Sequence, residues 1–360
     1  MKYAGWQVGI TYQTKKREGL DKKYLRNLLR EMKDNGMNFV SFMVVTHGLN
    51  DVLHDGYTWP VRNKRLRCYM DKKCTNAGPK TEFLTEIIEE AAGYGFHVNL
   101  TDNQFWWNPK KAKKGYPLIQ AAEIQGKDNK AHQRYPHCAD NSDTWRMACD
   151  AVEDLFGFYA SQAVKSYAFE MIGRFQGCTC PDTMKMFKQS LKTAGLESKS
   201  ENKDLFSLWE DMRRKEALEE FVIAIKKVNP SLEIWHHGYM ELTDRGSYRF
   251  SPASYEKAGV DVALPCIHQV TDEDSLKKVL DSSKDFPLVL HVDTRDVSTL
   301  NYNIPLKNQE YILSMGRWIE KNNRKNLTGI AFFNEPATSA VNKKAVYKVV
   351  KNWRKKGLLK

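Results

Sequence analysis

No stretch of the 360-residue chain carries the run of about 18 apolar residues that a membrane-spanning helix needs. The opening residues 1–11 lack the apolar segment of a secretory leader and already read as a strand, so a cytoplasmic chain or the mature form of an exported one is expected. The phosphate-cradling loops GxxxxGK(S/T) and GxGxxG are missing, which removes the common nucleotide-binding signatures. GxSxG, the nucleophile elbow of serine hydrolases, is missing too. There is no HExxH anywhere and no HxH on the first strand, the cheap signals of metal hydrolases. Seven cysteines are an odd number, so a complete disulfide framework would leave a thiol over. Cys178 and Cys180 form a CxC with no second Cys/His pair, a poor zinc signature. Mostly reduced, buried cysteines are the default, with Cys68/Cys74 and Cys178/Cys180 as loop ties only in an exported protein. No metal and no cofactor are expected. No Ser/Gly-rich linker or internal repeat interrupts the chain, which argues for one domain over residues 1–360.

What is present is enough for a large core. Hydrophobic residues make up 41% and aromatics 11%, which excludes disorder as the main state. The net charge of +12 has two readings. One is an acidic partner such as a uronate- or sulfate-bearing glycan; the other is a lysine-rich solvated surface. Lys22–Lys23, Lys226–Lys227 and Lys343–Lys344 are scattered along expected helices, and no nucleic-acid motif accompanies them. The densest run, residues 108–114 (NPKKAKK), follows an expected strand.

The hydrophobic period switches repeatedly between short apolar runs and amphipathic helices. Strands are expected at residues 6–12, 38–45, 96–101, 164–170, 232–237, 260–264, 287–292 and 327–333. Helices are expected at 20–35, 81–94, 143–162, 205–228, 252–258, 274–282, 308–322 and 343–354, with Gly36 and Gly95 as stops. Eight strands alternating with eight helices imply a parallel sheet that closes: an α/β fold, a single (β/α)₈ TIM barrel. Two long loops break the rhythm, residues 46–80 after strand 2 and 104–140 after strand 3. Both follow strand C-termini, the face on which such barrels build their sites. They carry Trp59, Tyr69, Trp106, Trp107, Tyr116 and Tyr135, aromatics expected to order them over the mouth.

Carboxylates, histidines and indoles gather at the strand ends. The second is followed by His47, His54, Asp55 and Trp59, and the third by Asp102, Asn103, Trp106 and Trp107. Glu170 closes the fourth, with Arg174 close behind; His236, His237 and Glu241 follow the fifth and His268 the sixth. Asp293 and Arg295 end the seventh, Asn334 and Glu335 the eighth. Glycoside hydrolysis needs two such carboxyls flanking the scissile bond, about 5–5.5 Å apart for retention or about 6.5–9.5 Å for inversion. Indoles suit the apolar face of a pyranose. Glu170 is therefore one catalytic candidate, with Glu335, Asp293 or Glu241 as its partner. His54, Asp55, Trp59, Asp102, Trp106, Trp107, Arg174, His236, His237 and Asn334 are the substrate-contact candidates. Blander readings stand beside these: Glu335 in an ion pair, Asp102 and Asp293 as turn caps, and only one of His236 and His237 inside the barrel.

Residues 166–187, SYAFEMIGRFQGCTCPDTMKMF, resemble a segment of glycoside-hydrolase-like barrels in which an acidic strand end precedes a CxCxxC-like turn and a phenylalanine-bearing helix. Gly56–Tyr57–Thr58–Trp59–Pro60, a helix through Leu84, Ile87 and Ala91, and then Gly95–Phe96–His97–Val98 are similar to the α-L-fucosidase-type barrels. The resemblance spans roughly residues 5–190 and implies an acidic pair at the end of strand four. Here that pair is Phe169–Glu170, and Thr183 stands where a third cysteine would fall. If the missing aspartate is the nucleophile, Glu170 takes its role or the enzyme is not a standard retaining one. The leading expectation is a glycoside hydrolase acting on an oligosaccharide or glycoside, with no nucleic-acid or membrane partner and oligomeric state left open. A non-catalytic carbohydrate-binding barrel, and a metal-dependent lyase or isomerase using the histidines and Asp293, are the rivals.

Overall fold

The computed structural model describes residues 1–9, 22–46, 56–70, 83–102, 109–119, 138, 140–158, 162–170, 178–238, 250–296, 306–333 and 335–360. Eight strands close into an all-parallel barrel: β1 (Tyr3–Gly9), β2 (Phe39–Met43), β3 (His97–Asp102), β4 (Val164–Phe169), β5 (Glu233–Gly238), β6 (Val262–Pro265), β7 (Leu288–Asp293) and β8 (Leu327–Phe333). Each pairs with its successor in the chain, and β8 returns to β1. The expected TIM barrel is the observed fold.

Helices Lys22–Asp34, Phe83–Gly93, Ser142–Phe158, Lys203–Val228, Pro252–Ala258, Glu273–Ser282, Gln309–Lys321 and Ala340–Lys355 separate the strands and cover them. Their ends are set locally. Asn202, Asp272, Asn308 and Ser339 accept backbone N–H groups at helix starts. Gly36 and Gly95, at φ 81° and 80°, take the left-handed turn that stops the first two helices.

Inside the barrel, Phe39, Ala168, Trp235, Val262, Leu264, Val289 and Ala331 form a packed cluster of their own. Trp235 stacks on Phe39 at 5.5 Å and on His97 at 5.7 Å, so the interior is filled rather than open. Next to it, Ser41, Asn99, Thr101 and Ser166 satisfy one another by hydrogen bonds. Gly5 is required where β1 meets β2, because a Cβ there would lie 1.7 Å from the Phe39 carbonyl oxygen.

Three details differ from the sequence expectation. The first strand begins at Tyr3, three residues before the expected start at Trp6. A further helix, Pro181–Thr193, absent from the helices expected on periodicity but implied as a phenylalanine-bearing helix by the resemblance over residues 166–187, precedes Lys203–Val228 between β4 and β5. In the described part of the insert after β2, Val45–Thr46 pairs antiparallel with Gly56–Tyr57, and Leu66–Tyr69 makes a single 3₁₀ turn.

Candidate active site at the barrel mouth

Alternation along each strand decides which side chains reach the mouth. On β4, Ser166 and Ala168 point inward: Ser166 accepts a hydrogen bond from Asn99 at 2.8 Å, and Ala168 lies in the interior cluster. Tyr167 and Phe169 point to the helices, Phe169 edge-on to Phe221 at 4.9 Å. Position 169 therefore serves the outer core, where an aspartate would be buried among aromatic rings. Glu170, the next residue, continues the inward row. Burial pushes its carboxyl up to about 8, which leaves it largely protonated at neutral pH.

Strand β5 divides its two histidines. His236 faces outward, 2.8 Å from the Tyr255 hydroxyl and between the rings of Phe169 and Phe250. His237 faces inward. Its Nε2 is 2.9 Å from His291 Nδ1 and 2.8 Å from Cys266 Sγ, and its Nδ1 is 4.0 Å from the Glu170 carboxyl. His268 brings Nε2 to 3.2 Å from the same His291 Nδ1 while its ring stacks on Phe333. His291 Nε2 is hydrogen-bonded to Gln7 Oε1. Burial lowers His237 to about 3, His268 to about 4 and His291 well below the ordinary value, so all three are neutral near pH 7. With the Gln7 oxygen accepting, His291 donates through Nε2 and accepts at Nδ1. His237 turns Nδ1, without a hydrogen-bond partner among the described residues, towards Glu170.

Asp293 ends β7 on the same rim. Arg295 grips it with Nε to Oδ1 and a terminal nitrogen to Oδ2, both at 2.8 Å, and adds a backbone N–H at 3.1 Å. The guanidinium lies 4.8 Å over the Phe333 ring. Cys266 sits among these groups: Glu170 and Asp293 both act on it electrostatically, and burial above all raises its thiol. Among the described residues the mouth thus holds one carboxyl without a cationic partner, Glu170, and one held by an arginine, Asp293. His237, Cys266 and His291 also offer donor atoms within 4.8 Å of one another, a nitrogen–sulfur set that suits zinc.

The remaining described candidates lie elsewhere. Asp102 follows Leu100 on the outer face of β3, where it accepts from the Tyr167 hydroxyl at 3.2 Å and burial raises it to about 8. Glu335, fully buried, forms an ion pair with Lys343 and accepts from Tyr24. Trp59 is fully buried, packs on Tyr57 at 4.7 Å and donates its indole N–H to Asp154 at 2.9 Å. Tyr116 likewise bonds to Asp150, so the described aromatics of both inserts pack on helix Ser142–Phe158. His54, Asp55, Trp106, Trp107, Arg174, Glu241 and Asn334, with His47 and Asn103, lie outside the described residues.

Sequence reasoning missed Gln7, Cys266 and His291. The signal for His291 is the alternation in PLVLHVD, which places it on the face of Asp293. Cys266 stands directly after the VALP strand, in the rim position that Glu170 takes after its own.

No family model matches the chain, and no curated protein sequence matches it. Solved structures do. α-L-Fucosidase isoenzyme 2 from Paenibacillus thiaminolyticus superposes with a TM-score of 0.65 at 13% identity over 99% of this chain. The glycoside hydrolase domain of PgaB (BpsB) from Bordetella bronchiseptica reaches 0.68 at 11% identity over 98% of both chains. The β-galactosidase of the haloarchaeon Halorubrum lacusprofundi reaches 0.63 at 15% identity over 97% of this chain. The fold is that of glycoside hydrolase barrels. The chain spans 50% of the fucosidase and 58% of the galactosidase, but nearly all of the PgaB domain. The resemblance to fucosidase-type barrels read from residues 5–190 therefore extends, as a likeness of fold, over almost the whole chain.

Proposed function

We propose that the chain hydrolyses a glycosidic bond in the barrel mouth: Glu170 gives a proton to the leaving oxygen, water supplies the hydroxyl that takes its place at the anomeric carbon, and Asp293 is the charged partner. The observation that carries this reading is the contrast between the two carboxyls. Glu170 is desolvated, its only candidate ion-pair partner among the described residues being the neutral His237 at 4.0 Å, and so retains a proton to donate. Asp293 is held by Arg295 in a carboxylate–guanidinium pair at the rim where positive charge develops on the sugar ring. Two carboxyls whose surroundings differ in this way divide acid and charge-stabilising roles between them. A carbohydrate substrate is supported by the fold neighbours, which are described as a fucosidase, a galactosidase and a glycoside hydrolase domain.

The test is turnover of a panel of aryl glycosides by the parent and by Glu170→Gln, with melting temperatures alongside. Glutamine keeps the shape and removes the proton donor. Turnover should fall by about 10² or more on substrates with poor leaving groups, and much less on activated ones, while the fold persists. A folded Glu170→Gln variant that matches the parent on every substrate would remove Glu170 from the mechanism. A parent that binds oligosaccharides but turns none over would leave a binding barrel instead.

A further inference from the structure

Cys178 and Cys180 lie just before helix Pro181–Thr193, and Cys138 comes from the far end of the insert after β3. The sequence separates them by 40 and 42 positions, yet the fold packs all three into a small cluster distinct from the main core. Each is buried, none is in a disulfide, and their sulfurs lie within 4.8 Å of one another. Cys138 and Cys180 Sγ are 3.2 Å apart. Thr183 Oγ1 touches both of these sulfurs at 3.3 Å and donates to Asp140 at 2.9 Å.

From this geometry we infer a structural zinc site formed by the thiolates of Cys138, Cys178 and Cys180, with an oxygen ligand completing the tetrahedron. Zinc bonds thiolate sulfur at about 2.3 Å, which places sulfurs at tetrahedral corners roughly 3.8 Å apart. The 3.2 Å between Cys138 and Cys180 and the 4.8 Å limit on all three separations are compatible with that value. A disulfide between any two of the three would leave the third thiol buried against it, whereas one divalent cation takes all three. The backbone around the cluster is preset: the Cys138 carbonyl accepts from Thr144 Oγ1 at 2.8 Å and the Asn141 amide at 3.2 Å, and Cys180 is the N-cap of its helix. Thr183 and Asp140 supply the hydrogen-bonded support that metal ligands require. The site clips the insert after β3 to the turn after β4. Cys178 is eight residues beyond Glu170, so the clip anchors the far end of the segment that leaves the catalytic rim.

Three measurements on the full chain test this. Elemental analysis of protein purified from zinc-containing medium should find one zinc per chain, lost in Cys138→Ser and in Cys180→Ser but kept in Cys149→Ala. Because the serine variants threaten folding, mercurial titration of the folded parent supplies the independent reading: one zinc should be released as three thiols react. Cobalt substitution should give the thiolate charge-transfer and tetrahedral ligand-field bands. Zinc that survives Cys138→Ser and Cys180→Ser but is lost in Cys266→Ser, placing it at the barrel mouth, overturns the assignment. So does a metal-free parent in which peptide mapping finds a Cys138–Cys180 disulfide.

Discussion

At the scale of single residues, the chemistry turns on how far each carboxyl is taken out of water. Among the described residues no cation holds the Glu170 charge, and burial favours its protonated form up to about pH 8. Acid catalysis needs that form, so kcat/KM should be lost as pH rises through about 8 rather than near the ordinary 4.5. His237→Ala would admit water beside Glu170 and move the alkaline limb downward. Rates that stay flat from about pH 6 to 10 would show that Glu170 is not the acid whose loss of a proton limits the reaction. Much of this rim was legible from sequence because a strand's last residue is visible wherever its apolar run stops, as at Glu170, His237 and Asp293. Which face a residue takes was less legible. Asp102 and Glu335 also stand at strand ends, but one turns under Tyr167 and the other is consumed by Lys343. Gln7 and His291 lie within strands, where only register separates a mouth residue from a core one.

Among elements, Glu335 acts as a clasp. It sits on the 3₁₀ turn Glu335–Ala337 after β8 and joins Lys343, on the last helix, to Tyr24, on the first. Its carboxylate is fully buried, so removing the cation strands a charge. Lys343→Met should cost about 3 kcal/mol in a denaturant titration, and Tyr24→Phe about 1 kcal/mol, as expected for orphaning a buried charge and deleting one hydrogen bond to it. Turnover near neutral pH should change little in either, since neither residue reaches the mouth. A Lys343→Met variant as stable as the parent but inactive would return Glu335 to the catalytic set. The periodicity revealed barrel helices where buried positions recur every three to four residues, as at Leu25, Leu28, Leu29 and Met32 of the first. Helix Pro181–Thr193 carries a stripe of its own, Thr183, Phe187 and Leu191, and is marked only through the phenylalanine-bearing helix of the resemblance; Phe187 and Leu191 pack on Phe206 and Trp209 of the following helix.

For the molecule as a whole, the buried titratable groups pull stability in opposite directions. His97, His236, His237, His268 and His291 are all lowered by burial, to about 4, 3, 3 and 4 for the first four. The unfolded chain binds those protons first, so their stabilisation is present above about pH 6.5 and is lost as pH falls below it. Glu170 and Asp102 are raised to about 8. The folded state holds their protons longer, so their contribution is present below about pH 4 and is lost as pH rises towards 8. Each net proton is worth up to about 1.4 kcal/mol per pH unit. Five histidines outweigh two carboxyls on the acid side; between neutrality and pH 8 the two carboxyls lead, opposed by the Met1 amine, which burial lowers from 8.0. Stability should therefore peak near neutrality, falling steeply towards about pH 5 and gently towards about pH 8. Urea midpoints measured across that range test it, and the double variant Glu170→Gln/Asp102→Asn should flatten the alkaline limb while leaving the acid limb steep. An alkaline limb steeper than the acid one, or unchanged in the double variant, would mean that these two carboxyls are not the groups whose burial the fold sustains.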